Sequence, residues 1–394
     1  MKKNYKKIFM IIGNGFNFDF LEGEKVSLNP SKPFSKFLNK TINIDDIKSE
    51  LLKLNRNSKK DGVIKILDEA NEKQDHFDII KDTMNNLHNE VKLYTSISKF
   101  YKYTFNSSIN RSMGNEGFGL CIGEFPSNID PKEITRLMST GKIDDYMRMI
   151  MKASVHECEL RQFIVLMYVK YQQYLDNYIS NDMLKSWKWY LWIRENFQKL
   201  LCVYTFNYDM FFERILDSLH IKYRRVGIIN EKGDFPIIKN HGSIDFDSYI
   251  GNFNSEIKRR RYDNSFININ RLVHTDGTFS INKTEELHRL RVYPDIVLPT
   301  QRSYQLDLKW VKEGLNYYKS IANEIDCFVI VGFSYWDVDE EEFNGLVENL
   351  PEGKIIDFYI VNPEAYSKKL EKFKNFIESK QHNYIGITDG VPWH

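Results

Sequence analysis

Residues 7–12 (KIFMII) form a short apolar run that ends in Gly13-Asn14-Gly15. An unbroken run, rather than an alternating one, reads as a strand buried on both faces of a parallel sheet, with the glycines as a tight turn after it. Between about Ile42 and Lys199 the period changes. Apolar residues recur at helical spacing in 45–54, 63–69, 77–87, 157–178 and 183–197, and strand-like runs are scarce. Trp187, Trp189 and Trp192 follow that spacing and are assigned to helix packing rather than to a cofactor wall. After Leu200 the apolar runs return, at 201–205 (LCVYT), 235–239, 295–298 (DIVL), 327–331 (CFVIV) and 355–361 (IIDFYIV). Helical segments at 210–219, 305–325 and 365–378 separate several of them. This alternation predicts an α/β fold, a Rossmann-like parallel sheet with helices on both faces plus a large helical insertion. The expected domains are 1–30 with 200–394 for the sheet and 31–199 for the helical insertion.

Composition narrows the function classes. Basic and acidic residues nearly cancel, 55 against 54, so bulk charge predicts no direct affinity for nucleic acid or membrane. Cys121, Cys158, Cys202 and Cys327 include no CxxC pair, which argues against a zinc module and a redox pair. No charged-then-apolar leader opens the chain and no apolar run approaches a membrane span, so the expected location is cytoplasmic. The glycine-rich stretch 114–123 follows no strand and opens no clear helix, so it is not assigned to phosphate. The basic cluster Lys258, Arg259, Arg260 and Arg261 reads as a solvated face, with phosphate contact as the alternative.

Five polar motifs follow predicted strands, where open α/β sheets bind ligands. Gly13-Asn14-Gly15-Phe16-Asn17 suits close approach of backbone to phosphate, or a plain strand-to-helix turn; the third glycine of GxGxxG is missing at Phe18. Thr205-Phe206-Asn207-Tyr208-Asp209 offers two polar side chains to a crevice, although Asp209 also suits a helix cap. Asn240-His241-Gly242-Ser243 places a histidine for acid–base work or in a structural turn. Gly332-Phe333-Ser334, followed by Asp337 and Asp339, and Asn362-Pro363-Glu364 suit phosphate or ribose contacts, or capped turns.

In their order these motifs resemble the sirtuin superfamily, which carries a GAGxS-type loop, a TQNxD motif, an HGS motif, a PDIV strand, a GTS loop and a late Asn-x-Glu. The matching residues here are 13–17, 205–209, 241–243, 294–297, 332–334 and 362–364. The IIGNGFN opening also resembles the AbiH abortive-infection family. The four-cysteine zinc module of deacylating sirtuins has no counterpart, because 246–290 contains no cysteine. The chain therefore looks like the sirtuin-like NAD hydrolases of bacterial anti-phage defence, which deplete NAD on infection.

That resemblance implies NAD as substrate and no metal. It implies pyrophosphate against Gly13, Asn14 and Gly15 with Ser334 assisting, and Asn362 at the adenosine ribose. Phe16, Asn17, Thr205 and Gly332 complete the expected NAD-contacting set. Asn207 would face the reacting ribose, Asp209 the nicotinamide amide, and His241 would act as general base. Only about thirty residues follow Glu364, with no obvious sensor, so activation by homo-oligomer assembly or by a separate partner is expected. A HerA-type ATPase or a phage-derived trigger is the partner type implied. The alternatives are an NAD or ADP-ribose sensor or scaffold without turnover, an NAD-dependent deacylase, and a nuclease or nucleotide-processing protein of the abortive-infection type, resting on 258–261 alone.

Overall fold

The computed structural model describes residues 7–13, 15–23, most of 164–248, 279–281, 294–297 and 308–393 apart from 334, 336 and 363–367, with isolated positions between 46 and 64. The strands and helices in chain order are β1 (Ile8–Ile12), α1 (Gly15–Gly23), α2 (Asn181–Ser186), α3 (Lys188–Asn196), β2 (Leu200–Thr205), α4 (Phe211–Ser218), β3 (Tyr223–Arg225) and β4 (Phe235–Lys239). They continue with β5 (Gly242–Ser248), β6 (Phe279–Ile281), β7 (Pro294–Ile296), α5 (Lys309–Ile321), β8 (Cys327–Val331), α6 (Asp337–Glu348), β9 (Asp357–Val361), α7 (Lys368–Ser379) and β10 (Asn383–Ile387). Short 3-10 turns follow α3 and α5. Among the described residues no helix is long and apolar enough to cross a membrane.

Seven strands form one parallel sheet in the order β10-β9-β8-β1-β2-β4-β3. β1 is central, and all five of its residues are apolar and buried because both faces are covered. Phe9 and Ile11 point into a core shared with Tyr318 of α5, Phe343 of α6 and Phe373 of α7. Phe16 and Phe20 of α1 pack with Trp187 and with Phe211 of α4. This is a Rossmann-like α/β fold, as the sequence predicts.

The chain runs from β1 to β2, out to the edge strand β3 and back to β4 between them, then crosses to the other side of β1 with β8, β9 and β10. The direction reverses between β1 and β8, which makes that gap the topological switch point. Register levels the carboxyl ends: Ile12 pairs with Thr205 and Val331, Thr205 with Lys239, and Val331 with Val361. One row of five strand ends results, and each of the five polar motifs begins from it.

Two expectations need correction. The DIVL run is not a strand of the parallel sheet. Residues 294–296 form β7, antiparallel to β5 in a three-stranded sheet ordered β6-β5-β7. The cause is local: Gly242, at φ +81°, turns the chain out of β4 and starts β5, and an apolar run does not itself say which sheet it joins. The domain boundary also moves. One compact unit takes 1–43, 165–249 and 277–394, and the other takes 44–164 with 250–276. Residues 165–199 thus belong with the sheet, because Trp187 and Trp189 pack on Phe16 and the Trp192 indole donates to Pro392 O at 3.1 Å. The tryptophans are packing residues, as expected. In the second unit the described positions 46, 48, 49, 52 and 64 are helical, and the remainder of the expected insertion helices there, the 114–123 stretch and the 258–261 cluster lie outside the described residues.

Candidate functional site

The turn after β1 and the turn after β8 interlock. Gly13 N donates to Val331 O at 2.9 Å, and Gly15 N to Gly332 O at 3.0 Å. A Cβ on Gly15 would lie 2.6 Å from Gly332 Cα, and one on Gly332 would overlap Phe16 N. Gly332 also sits at φ +63°, a conformation that penalises any side chain. The glycines are therefore explained by backbone meeting backbone at the switch point. Phe16 N donates to Gly13 O at 3.0 Å, so the N–H groups of residues 13, 15 and 16 are all used inside the protein. Any group lying against Gly13 and Gly15 therefore meets backbone whose N–H groups are already engaged. Asn14 and Ser334 lie outside the described residues. Phe16 is a core residue, its ring 4.8 Å from that of Trp187.

Asn207 stands against this interlock. Its backbone N donates to Thr205 Oγ1 at 3.1 Å, which folds the chain sharply at the end of β2. Its Nδ2 donates to Gly13 O at 3.2 Å. The residue is 4% exposed, and its Oδ1 is buried with no hydrogen-bond partner among the described residues. A buried carboxamide oxygen left without a donor costs roughly 1–3 kcal/mol, so its retention calls for a reason. Asn17 repeats the pattern: Nδ2 donates to Asp209 Oδ2 at 2.8 Å, while Oδ1 is buried and has no partner among the described residues.

Both carboxylate oxygens of Asp209 are engaged within the protein. Oδ1 accepts from Phe211 N, the first residue of α4, at 3.0 Å, and Oδ2 accepts from Asn17. Burial pushes its carboxyl up, against the opposing pull of Lys239 and the two donors. Lys239, the last residue of β4, completes a buried network: Nζ donates to Asp209 O at 2.6 Å and pairs with Glu213 Oε1 at 2.8 Å. Asp209 thus ties the start of α4 to Asn17 of α1.

His241 is 6% exposed and lies edge-on to Phe206, with ring centroids 5.1 Å apart, and 6.4 Å from Tyr208. Phe206 and Tyr208 flank Asn207, so the β2 turn supplies both the carboxamide and part of the wall around the imidazole. Among the described hydrogen bonds none joins Asn207 to His241 directly. Instead His241 Nε2 faces α6, 3.5 Å from Glu342 Oε2 and 3.7 Å from Asp339 Oδ1. Glu342 Oε1 accepts from Tyr204 Oη and, at 2.8 Å, from Asn240 Nδ2. Burial alone would pull the His241 proton off, but Glu342 and Asp339 outweigh it and hold the imidazolium above its ordinary range. Burial pushes Asp339 up to about 6; His241 opposes this and Glu342 adds to it.

Sequence reasoning named Asp339 only as a neighbour of the Gly332 loop and missed Glu342, Tyr204 and Lys239. The i,i+3 spacing of Asp339 and Glu342, one face of a helix, was the available signal for the pair. A lysine ending an apolar strand was the signal for Lys239. Thr205 and Gly332 serve the backbone of the site, and Asn362 is part-buried directly after β9. Among the described residues no group of three or more His, Cys, Asp or Glu side chains is arranged to hold a metal ion. No family model matches the chain, and no curated protein matches it.

Proposed function

We propose that this site cleaves the nicotinamide–ribose bond of NAD to give nicotinamide and ADP-ribose or its cyclic form. The observation that supports it best is the single row of five polar motifs at the carboxyl ends of β1, β2, β4, β8 and β9, flanking the switch point. Within that row stand a carboxamide oxygen with no partner among the described residues, on Asn207, and an imidazole backed by two carboxylates, on His241.

The chemistry asks little of acid catalysis, since nicotinamide leaves NAD as an already cationic group. What the protein must supply is position, together with stabilisation of an oxocarbenium-like ribose. In this reading Asn207 Oδ1 accepts a hydrogen bond from a ribose hydroxyl or from the attacking water. Water, or a ribose hydroxyl, bonds to the anomeric carbon as the glycosidic bond breaks, and its proton passes to His241. Asp209 and Lys239 hold the β2 turn in shape. The pyrophosphate draws on donors other than the N–H groups of residues 13, 15 and 16.

Asn207→Ala and His241→Ala are each expected to lower NAD cleavage by about 10²–10⁴-fold while leaving the fold intact. Chromatography of nicotinamide released from NAD measures this, with circular dichroism as the folding check. Activation by self-assembly or by a separately encoded partner is part of the proposal, so the assay is run with and without co-expressed genomic neighbours. Wild-type turnover by folded His241→Ala protein overturns the assignment of that residue.

A further inference from the structure

The cluster behind His241 goes further than the histidine itself. Glu342 projects from α6 into the sheet end, and its two oxygens do different things. Oε1 is saturated by two donors, Tyr204 Oη from inside β2 and Asn240 Nδ2 from the end of β4. Oε2 is turned toward the imidazole Nε2 at 3.5 Å. A carboxylate only accepts hydrogen bonds, so the imidazole atom that faces it carries hydrogen. Asp339, one turn earlier on the same helix, faces the same nitrogen at 3.7 Å. Burial and the nearby carboxylates keep the Tyr204 phenol protonated well above its ordinary range, so it stays a donor.

We propose that Glu342 is the positioning residue of this site: anchored by Tyr204 and Asn240, it holds the neutral His241 ring as the Nε2–H tautomer, leaving Nδ1 as the nitrogen that takes up a proton. The inference rests on the NAD-cleaving reading for its purpose but not for its geometry. The proton balance is simple. The neutral ring keeps its hydrogen on Nε2, Nδ1 accepts the proton released by the attacking hydroxyl, and the resulting imidazolium is stabilised by Glu342. The charge-bearing groups around the ring are Glu342 and Asp339 from α6, with Tyr204 from β2 acting through Glu342 and Tyr208 beside the ring; Lys369 of α7 acts on Asp339. Asp339, pushed up toward neutrality by burial, sets how much negative charge reaches the ring near pH 6.

The test is a pH titration of the intact chain labelled with 15N-histidine, with the His241 resonances assigned by their absence in His241→Asn. The wild type is expected to show the Nε2–H tautomer at high pH and to titrate above an ordinary histidine. E342Q is expected to titrate lower and, where NAD is turned over, to lose about 10–100-fold in kcat with KM little changed, comparable to removing an orienting carboxylate from behind a histidine elsewhere. E342D retains the charge and is expected to keep the elevated titration; it decides the matter if E342Q does not fold. An Nδ1–H tautomer in the wild type overturns the proposal. So does an unshifted titration in folded E342Q, or a titration in E342D that falls to that of an ordinary histidine. Absence of NAD turnover would count against the NAD reading alone, because the tautomer is read without substrate.

Discussion

The interlock of the β1 and β8 turns is the feature on which the site is built, and Gly332→Ala tests it. The substitution carries two costs. A left-handed conformation at φ +63° costs an L-residue about 1–2 kcal/mol. The new methyl would also overlap Phe16 N, with Gly15 Cα well inside 3.0 Å, so backbone must move where no flexible side chain can yield. Overpacking of that kind adds about 1–3 kcal/mol. Together they predict a loss of roughly 2–5 kcal/mol, a large part of the 5–15 kcal/mol typical of a whole domain. For a unit of this size that lowers the melting temperature by about 5–15 °C. Tryptophan fluorescence reads the right unit, because Trp187, Trp189 and Trp192 are buried beside α1 and α4. Gly345→Ala is the control. It lies in α6 with open space around its would-be Cβ, and alanine there is expected to stabilise by about 0.5–1 kcal/mol. Equal melting temperatures for Gly332→Ala and wild type would refute the argument that the glycines serve loop-on-loop contact.

Two more predictions concern buried charge. Lys239→Met strands Glu213 in a site where each partner is 1% exposed, and is expected to cost about 3–5 kcal/mol by denaturant midpoint; the double replacement K239M/E213L should recover much of it. His241 holds its proton more tightly when folded than unfolded, so its contribution to stability is present below the unfolded value near 6.5 and fades as pH rises through the folded one. The melting-temperature advantage of wild type over His241→Gln should therefore shrink between pH 6.5 and 9. An advantage that grows over that range contradicts the assignment. Asp339 acts in the same direction at lower pH, its neutral form favouring the fold below its folded value of about 6.

Much of the sheet was legible because strands buried on both faces leave continuous apolar runs: 235–239 and 327–331 match β4 and β8 residue for residue. The short edge strand β3 and the half-exposed β10 (NYIGI) carry no such run and were passed over. The 183–197 helix is broken in the structure, since Trp187 is extended at φ −71°, ψ 135° between α2 and α3. A period of 3.6 continues across one extended residue well enough to hide it. For the site, the sequence located the five strand ends but not what the side chains there would contact. Asp209 was readable as ligand contact or cap, and nothing local in the sequence says that Asn17 and Phe211 N lie against its carboxylate. The i,i+3 spacing could mark Glu342 as a neighbour of Asp339 but not as a partner of Tyr204 and Asn240, which are 138 and 102 residues away in the chain.

The central claim, that five strand ends make one NAD-cleaving site, is tested most directly by a crystal structure of the His241→Ala protein soaked with NAD. The account predicts the dinucleotide across the carboxyl ends of β1, β2, β4, β8 and β9, with the nicotinamide riboside beside Asn207 Oδ1. NAD bound at the opposite edge of the sheet, or no NAD bound at saturating concentration, would contradict it.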